Sequence, residues 1–148
     1  MKKPAPVPGL VIRYDFLWSH ERARGYEAGA KERPCVIVTA VITKEMGETD
    51  VLVVPITHAP PREGTVVLDI PPKVGRYLGL DDERSYIVAN EVNSVSWDDP
   101  GIVPVRPGQQ WAYGRIPKGL YDPLRATIME LLKQRKLKAV DRKADPWA

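Results

Sequence analysis

The run VVPITHAPP, Val53 to Pro61, closes an apolar stretch with a hydroxyl and an imidazole in succession, Thr57 and His58, and then stops at two prolines. Thr57 can donate a hydrogen bond to an anionic oxygen, and histidine is the side chain best suited to moving a proton near neutral pH. Arg33, directly before Pro34, offers a permanent positive fork matched to phosphate oxygens on backbone that the proline biases to extended. Glu91 is a further group able to carry a proton where its surroundings place its pKa suitably. Together these are the parts of a site that clamps a phosphate and moves protons around it. Each also has a plain structural use: Arg33 at a strand start, Thr57 as a strand-end hydroxyl bonding its own backbone, His58 in a solvated loop, Glu91 in a surface ion pair. Adjacent strand residues point to opposite faces, so Thr57 and His58 share a cleft only where the strand has already ended.

Other catalytic templates are missing. Two histidines, His20 and His58, with no H-x-x-x-H spacing and the single Cys35 argue against a His/Cys metal site, so no metal and no cofactor is expected. There is no phosphate loop, no Gly-x-Gly-x-x-Gly and no serine nucleophile elbow.

The elements that must position these residues are mostly short strands. A Pro-rich arm over residues 1–9 runs extended into a strand at Leu10 to Phe16, and a long polar loop follows from Trp18 to Arg33. Cys35 to Thr43 and Asp50 to Ile56 are β-branched runs joined by KEMGET, whose glycine suits a hairpin turn. Thr65 to Ile70 and Ser85 to Val92 read as further strands, with one helical turn around Val74 to Leu78 between them. Such a succession predicts an antiparallel sheet closing on itself as a small barrel. One helix ends the pattern, with Asp122 as N-cap, Pro123 at the first position, and Leu124, Ile128, Leu131 and Leu132 on one face. That face is expected to pack on the barrel or on a second copy, which predicts a homodimer.

A chain of 148 residues fits one domain. The lone cysteine excludes an internal disulfide, and no apolar run reaches membrane-spanning length, so a reducing, cytoplasmic setting and no membrane partner are expected. The net charge of +3 is unevenly placed. Lys133 to Lys143 holds six basic residues and one acid, whereas the rest of the chain has 16 basic against 18 acidic residues. This basic segment, within a tail over 133–148, reads either as the solvated end of a helix or as a contact for phosphates or an acidic protein. Trp18, Trp97 and Trp111 are candidates for stacking on unpaired bases or for ordinary packing.

A strand ending in an acid, then ERPCVIVTA, VVPIT, YIVANEVNSVSW and GRIPKGLYDPLRATIMELL, in this order and spacing, resembles the PemK/MazF family of toxin endoribonucleases over roughly Gly9 to Leu132. The resemblance implies an SH3-like barrel with a C-terminal helix, a homodimer, metal-independent cleavage of single-stranded RNA, and silencing by an acidic antitoxin. By position, Arg33 and Thr57 match the family's catalytic arginine and threonine, with His58 and Glu91 as further catalytic candidates. The loop carrying His20, Arg22 and Arg24 matches the one covering the substrate. Asn90 and Asn93 lie where the family has an acid-Gln-x-Arg segment, so the arginine is absent and the acid is moved to Glu91. These residues, with Lys133, Arg135 and Lys136 of the basic segment, are the expected RNA contacts. Two alternatives stay open: a catalytically degenerate RNA- or protein-binding module of the same fold, and a plain SH3-like interaction domain.

Overall fold

The computed structural model describes residues 1–43, 47–81 and 83–143. Among these residues nine strands and three helices follow the order β1 (Leu10–Tyr14), α1 (Ser19–Ala23), β2 (Arg33–Thr43), β3 (Glu48–Thr57), β4 (Val67–Asp69), α2 (Pro72–Leu78), β5 (Tyr86–Val88), β6 (Glu91–Ser96), β7 (Ile102–Val103), β8 (Gly114–Arg115), α3 (Lys118–Lys133) and β9 (Lys138–Asp141). The fold is mainly β, and every strand pairing is antiparallel except that of β6 with β9. The sheet runs β4-β5-β3-β2-β1-β7, with β6 also on β3, β9 on β6 and β8 on β1. It does not close into the expected barrel, because β4 and β7 end the path without pairing to each other.

The long hairpin β2–β3 is its spine. Cys35 pairs with Pro55 and Thr43 with Glu48, with a bulge between Ile37 and Thr39; residues 44–46 of the expected turn lie outside the described residues. Both faces of its inner part, residues 35–38 and 51–56, are covered, which is why β1 and these parts of β2 and β3 read as nearly continuous apolar runs. Val36, Val38, Val54 and Ile56 face one cluster with Leu120, Leu124, Ile128 and Leu131 of α3. Ile12, Tyr14, Cys35, Ile37, Val51 and Val53 face a second cluster with Phe16 and Trp97.

Several boundaries differ from expectation for local physical reasons. The run Ser85 to Val92 is two strands, because a turn at Ala89 and Asn90 lets β5 pair with the end of β3 (Thr57↔Tyr86) and β6 with its middle (Val53↔Asn93). Helix α3 begins at Lys118 after Pro117, not at Asp122, and Pro123 lies inside it. A proline there lacks the N–H that would bond the carbonyl of Gly119 one turn back, yet the buried stripe from Leu120 to Leu131 holds the turn in place. Leu124, Ile128 and Leu131 are therefore consumed by the chain's own core and are not free to pair two copies, while Leu132 is exposed. After Lys133 the chain does not continue as a solvated helix end. It reverses through Arg135, at φ 56°, and adds β9 to β6 with Glu91↔Lys138 and Ser94↔Asp141. The Pro-rich arm is also anchored: the Lys3 ammonium donates to the Trp97 carbonyl and lies over the rings of Trp97 and Trp111, 4.3 and 5.1 Å from their centroids. Those two tryptophans thus take part in packing the arm against the second cluster. Among the described residues no helix is long and apolar enough to cross a membrane.

Candidate functional site

Arg33 opens β2 and Thr57 closes β3. Carrying the Cys35↔Pro55 register two residues outward sets them opposite each other, and the two-residue period of strands puts both on one face. They form a ridge between two clefts, each of which both residues line.

The first cleft, about 640 Å³, is walled by Trp18, Ser19 and His20 of the β1–α1 region, by the 59–65 loop, and by Asn90, Glu91 and Lys138. The Arg33 guanidinium lies over the Trp18 ring, 5.1 Å from its centroid, and its buried Nε has no hydrogen-bond partner among the described residues. Burial pulls Arg33 below the ordinary arginine value, opposed by the neighbouring Cys35 and Glu21; a guanidinium starts so high that it remains a cation at neutral pH. The Thr57 hydroxyl oxygen accepts the Ala59 N–H at 3.1 Å, which stiffens the exit from the strand and leaves the hydroxyl proton to be donated. Four fixed cations, Lys31, Arg33, Arg62 and Lys138, line this cleft with the acids Glu21, Glu63 and Glu91. Two of the acids are engaged. Glu21 accepts the N–H groups of Trp18 and Ala30 at 3.0 and 3.3 Å, and Glu91, buried, accepts the Ser19 hydroxyl at 2.6 Å and its N–H at 3.3 Å.

The second cleft, about 420 Å³, lies across the ridge and holds His58, Asp81, Ser85 and Tyr113. His58 follows the last residue of β3 and does not line the first cleft. Its Nε2 is 3.0 Å from an Asp81 carboxylate oxygen, and its Nδ1 is 3.2 Å from both the Arg84 carbonyl and the Ser85 hydroxyl. His58, Asp81 and Glu83 bring one ligand atom each within 4.8 Å of one another, a mixed group able to hold a cation. No His/Cys spacing in the sequence marks this group, because its members come from two loops, one after β3 and one between α2 and β5.

The remaining expected contacts divide. His20 stacks on Trp18 with centroids 6.2 Å apart and lines the first cleft. Arg22 turns away and donates to the Asp141 carbonyl at 3.2 Å, and Arg24 is exposed and lines neither cleft. Asn90 borders the first cleft, but its amide is used internally, donating to the Gly64 carbonyl at 2.7 Å and accepting the Val66 N–H at 3.2 Å. Asn93 is not a surface contact at all. It is fully buried, accepting the Leu17 N–H and donating to the Leu17 carbonyl. Lys133, Arg135 and Lys136 are exposed and line neither cleft, because the reversal after α3 carries Lys138, not them, to the cleft wall. Ser19, Glu21, Lys31 and Arg62 also line the first cleft. For Glu21 a signal existed, an acid three residues after the residue preceding a helix; for the others no local pattern does.

No family model matches this chain, and no curated protein sequence does. The case for a function therefore stands on the residues around the Arg33–Thr57 ridge.

Proposed function

We propose that the chain is a metal-independent endoribonuclease acting on single-stranded RNA, of the PemK/MazF-like kind, with the SH3-like strand arrangement of that family. The observation that carries this reading is the placement of Arg33 and Thr57 at the ends of neighbouring strands, beside Trp18, at the rim of a cleft lined by four fixed cations. A backbone phosphate on the ridge would meet the guanidinium and the threonine hydroxyl, and an unpaired base would meet the half-buried indole. The ribose 2′-oxygen attacks phosphorus as its proton leaves to a base, the bond to the 5′-oxygen breaks, and that oxygen takes up a proton. A 2′,3′-cyclic phosphate and a 5′-hydroxyl result. Glu91 is the carboxylate of the first cleft nearest in role to the base, and the 5′-oxygen takes its proton from solvent, because His58 across the ridge is committed to Asp81, Arg84 and Ser85.

As a toxin of a type II toxin-antitoxin pair the chain would act in the cytoplasm and be silenced by an acidic antitoxin, for which the cationic cleft is a complementary surface. A homodimer in this reading pairs through surface other than the α3 stripe, such as Val41 and Ile42, exposed near the end of β2. Light scattering at micromolar concentration tests it, and a monomer mass counts against it. A second reading, a binding module without catalysis, is favoured by the engagement of both Glu91 oxygens with Ser19.

Purified protein incubated with single-stranded RNA in the presence of EDTA separates these readings. Cleavage leaving cyclic phosphate ends, lost by on the order of a hundredfold or more in Arg33→Ala and by less in Thr57→Ala, supports the nuclease. Activity that needs a divalent ion would refute metal independence and turn attention to His58, Asp81 and Glu83. RNA binding without cleavage favours the binding module.

A further inference from the structure

Three residues distant in sequence hold the short segment that leads from β1 to the Trp18 wall. Arg142, with only 8% of its side chain exposed, sends Nη1 to the Asp15 carbonyl at 2.9 Å and more distantly to the Asn93 amide oxygen at 3.4 Å. Its Nη2 donates to the Asp15 carboxylate at 3.2 Å, and its guanidinium carbon lies 5.1 Å from the Tyr14 ring centroid. Asn93 in turn clamps the Leu17 backbone from both sides, accepting its N–H at 2.9 Å and donating to its carbonyl at 2.8 Å. Glu91 then holds Ser19. Trp18 stands between the residues held by Asn93 and Glu91.

Arg142 reaches this position only because β9 pairs with β6, its own N–H donating to the Ser94 carbonyl at 2.8 Å. It lines neither cleft. A buried guanidinium whose removal leaves the Asp15 carboxylate without its cation has few other places to go. Its contacts leave the Asn93 oxygen polarised toward a donor on each side, the guanidinium and the Leu17 N–H.

We propose that Arg142 is a positioning residue of the first cleft, acting through Asp15 and Asn93 to fix Leu17 and thereby the Trp18 face beneath Arg33. The C-terminal segment is then part of the cleft's frame, with Lys138 on the cleft wall. The consequence for RNA rests on the nuclease reading; the consequence for Leu17 and Trp18 does not.

The test compares full-length wild type with Arg142→Gln and Arg142→Lys. In Arg142→Gln the Leu17 amide should exchange with solvent at least tenfold faster relative to the Val36 and Val54 amides, whose residues pair with each other across β2–β3, and the Trp18 indole N–H resonance should shift. Arg142→Lys, which keeps the charge but not the fork, should fall between the two. With a mixed-sequence single-stranded RNA pool, kcat/KM should fall tenfold or more in Arg142→Gln. Leu17 exchange that is unchanged, or that rises only in step with Val36 and Val54, overturns the proposal, as does failure of both variants to fold, which would make Arg142 a general stabiliser. Selective loosening of Leu17 in a wild type that cuts no RNA leaves the positioning role standing and removes the nuclease. RNA cleavage at the wild-type rate by Arg142→Gln does the reverse.

Discussion

The guanidinium of Arg33 rests over the indole of Trp18, 5.1 Å from its centroid, at the boundary of two clefts. An arginine so placed is held by a ring face on one side and is open toward the ridge it shares with Thr57. The indole also edges against Phe16, at 5.4 Å and 75°, which ties it to the core cluster behind β1.

Replacing Trp18 with Ala should therefore weaken single-stranded RNA binding by about 1–3 kcal/mol, the contribution of one base–aromatic stack, while Trp18→Phe retains most of it. Equilibrium titration with a fluorescent RNA decides. Equal loss in both variants would mean that the indole supports Arg33 without meeting a base.

His58 is committed to Asp81, Arg84 and Ser85 and is separated from Glu91 by the ridge. His58→Gln should accordingly slow RNA cleavage by well under the hundredfold expected of Arg33→Ala. A comparable loss together with a changed pH–rate profile would return His58 to direct proton transfer.

Among the basic residues near the C-terminus, Lys138 lines the cleft and Lys133, Arg135 and Lys136 do not. Each phosphate contact on a single strand contributes about 0.7 to the slope of log K against log salt. Lys138→Ala should lower the slope by about that amount, and the triple alanine variant at Lys133, Arg135 and Lys136 should leave it unchanged. The opposite pattern would put the RNA path along the end of α3.

Cys35 is fully buried, and burial pushes its thiol well above the ordinary value, against a smaller opposing effect of Arg33. The unfolded chain loses this proton near pH 8.5 while the folded chain keeps it. Stability is thus complete below about pH 8.5 and declines as pH rises further, with a limiting slope of about 1.4 kcal/mol per pH unit. Tyr14, raised by burial in the same way, adds to the decline above about pH 10. Denaturant unfolding from pH 7 to 9.5 should show the first decline in the wild type and lose most of it in Cys35→Ala. A wild-type curve that stays flat to pH 9.5 would contradict the assignment.

Arg33-Pro34 and the Thr57 that ends an apolar run were legible because strand periodicity and the prolines act locally: they set where β2 begins and β3 ends within a residue or two. The β-rich class, the hairpin and the helical stripe Leu124, Ile128 and Leu131 follow from the same short-range patterns. What local pattern could not decide was direction and partner. The Asp122-Pro123 pair has the chemistry of a helix start, but burial of Leu120 recruits the turn before it. Asn93 is a polar residue in a strand, and only the folded chain shows that it meets Leu17, 76 positions away. The basic segment is charged enough for a solvated helix end, yet pairing with β6 turns it back, sends Arg142 inward to Asp15 and brings Lys138 to the cleft. Composition and periodicity determine which residues can form strands and which groups can carry charge. Long-range pairing alone determines which of those groups lose their water and which face the cleft.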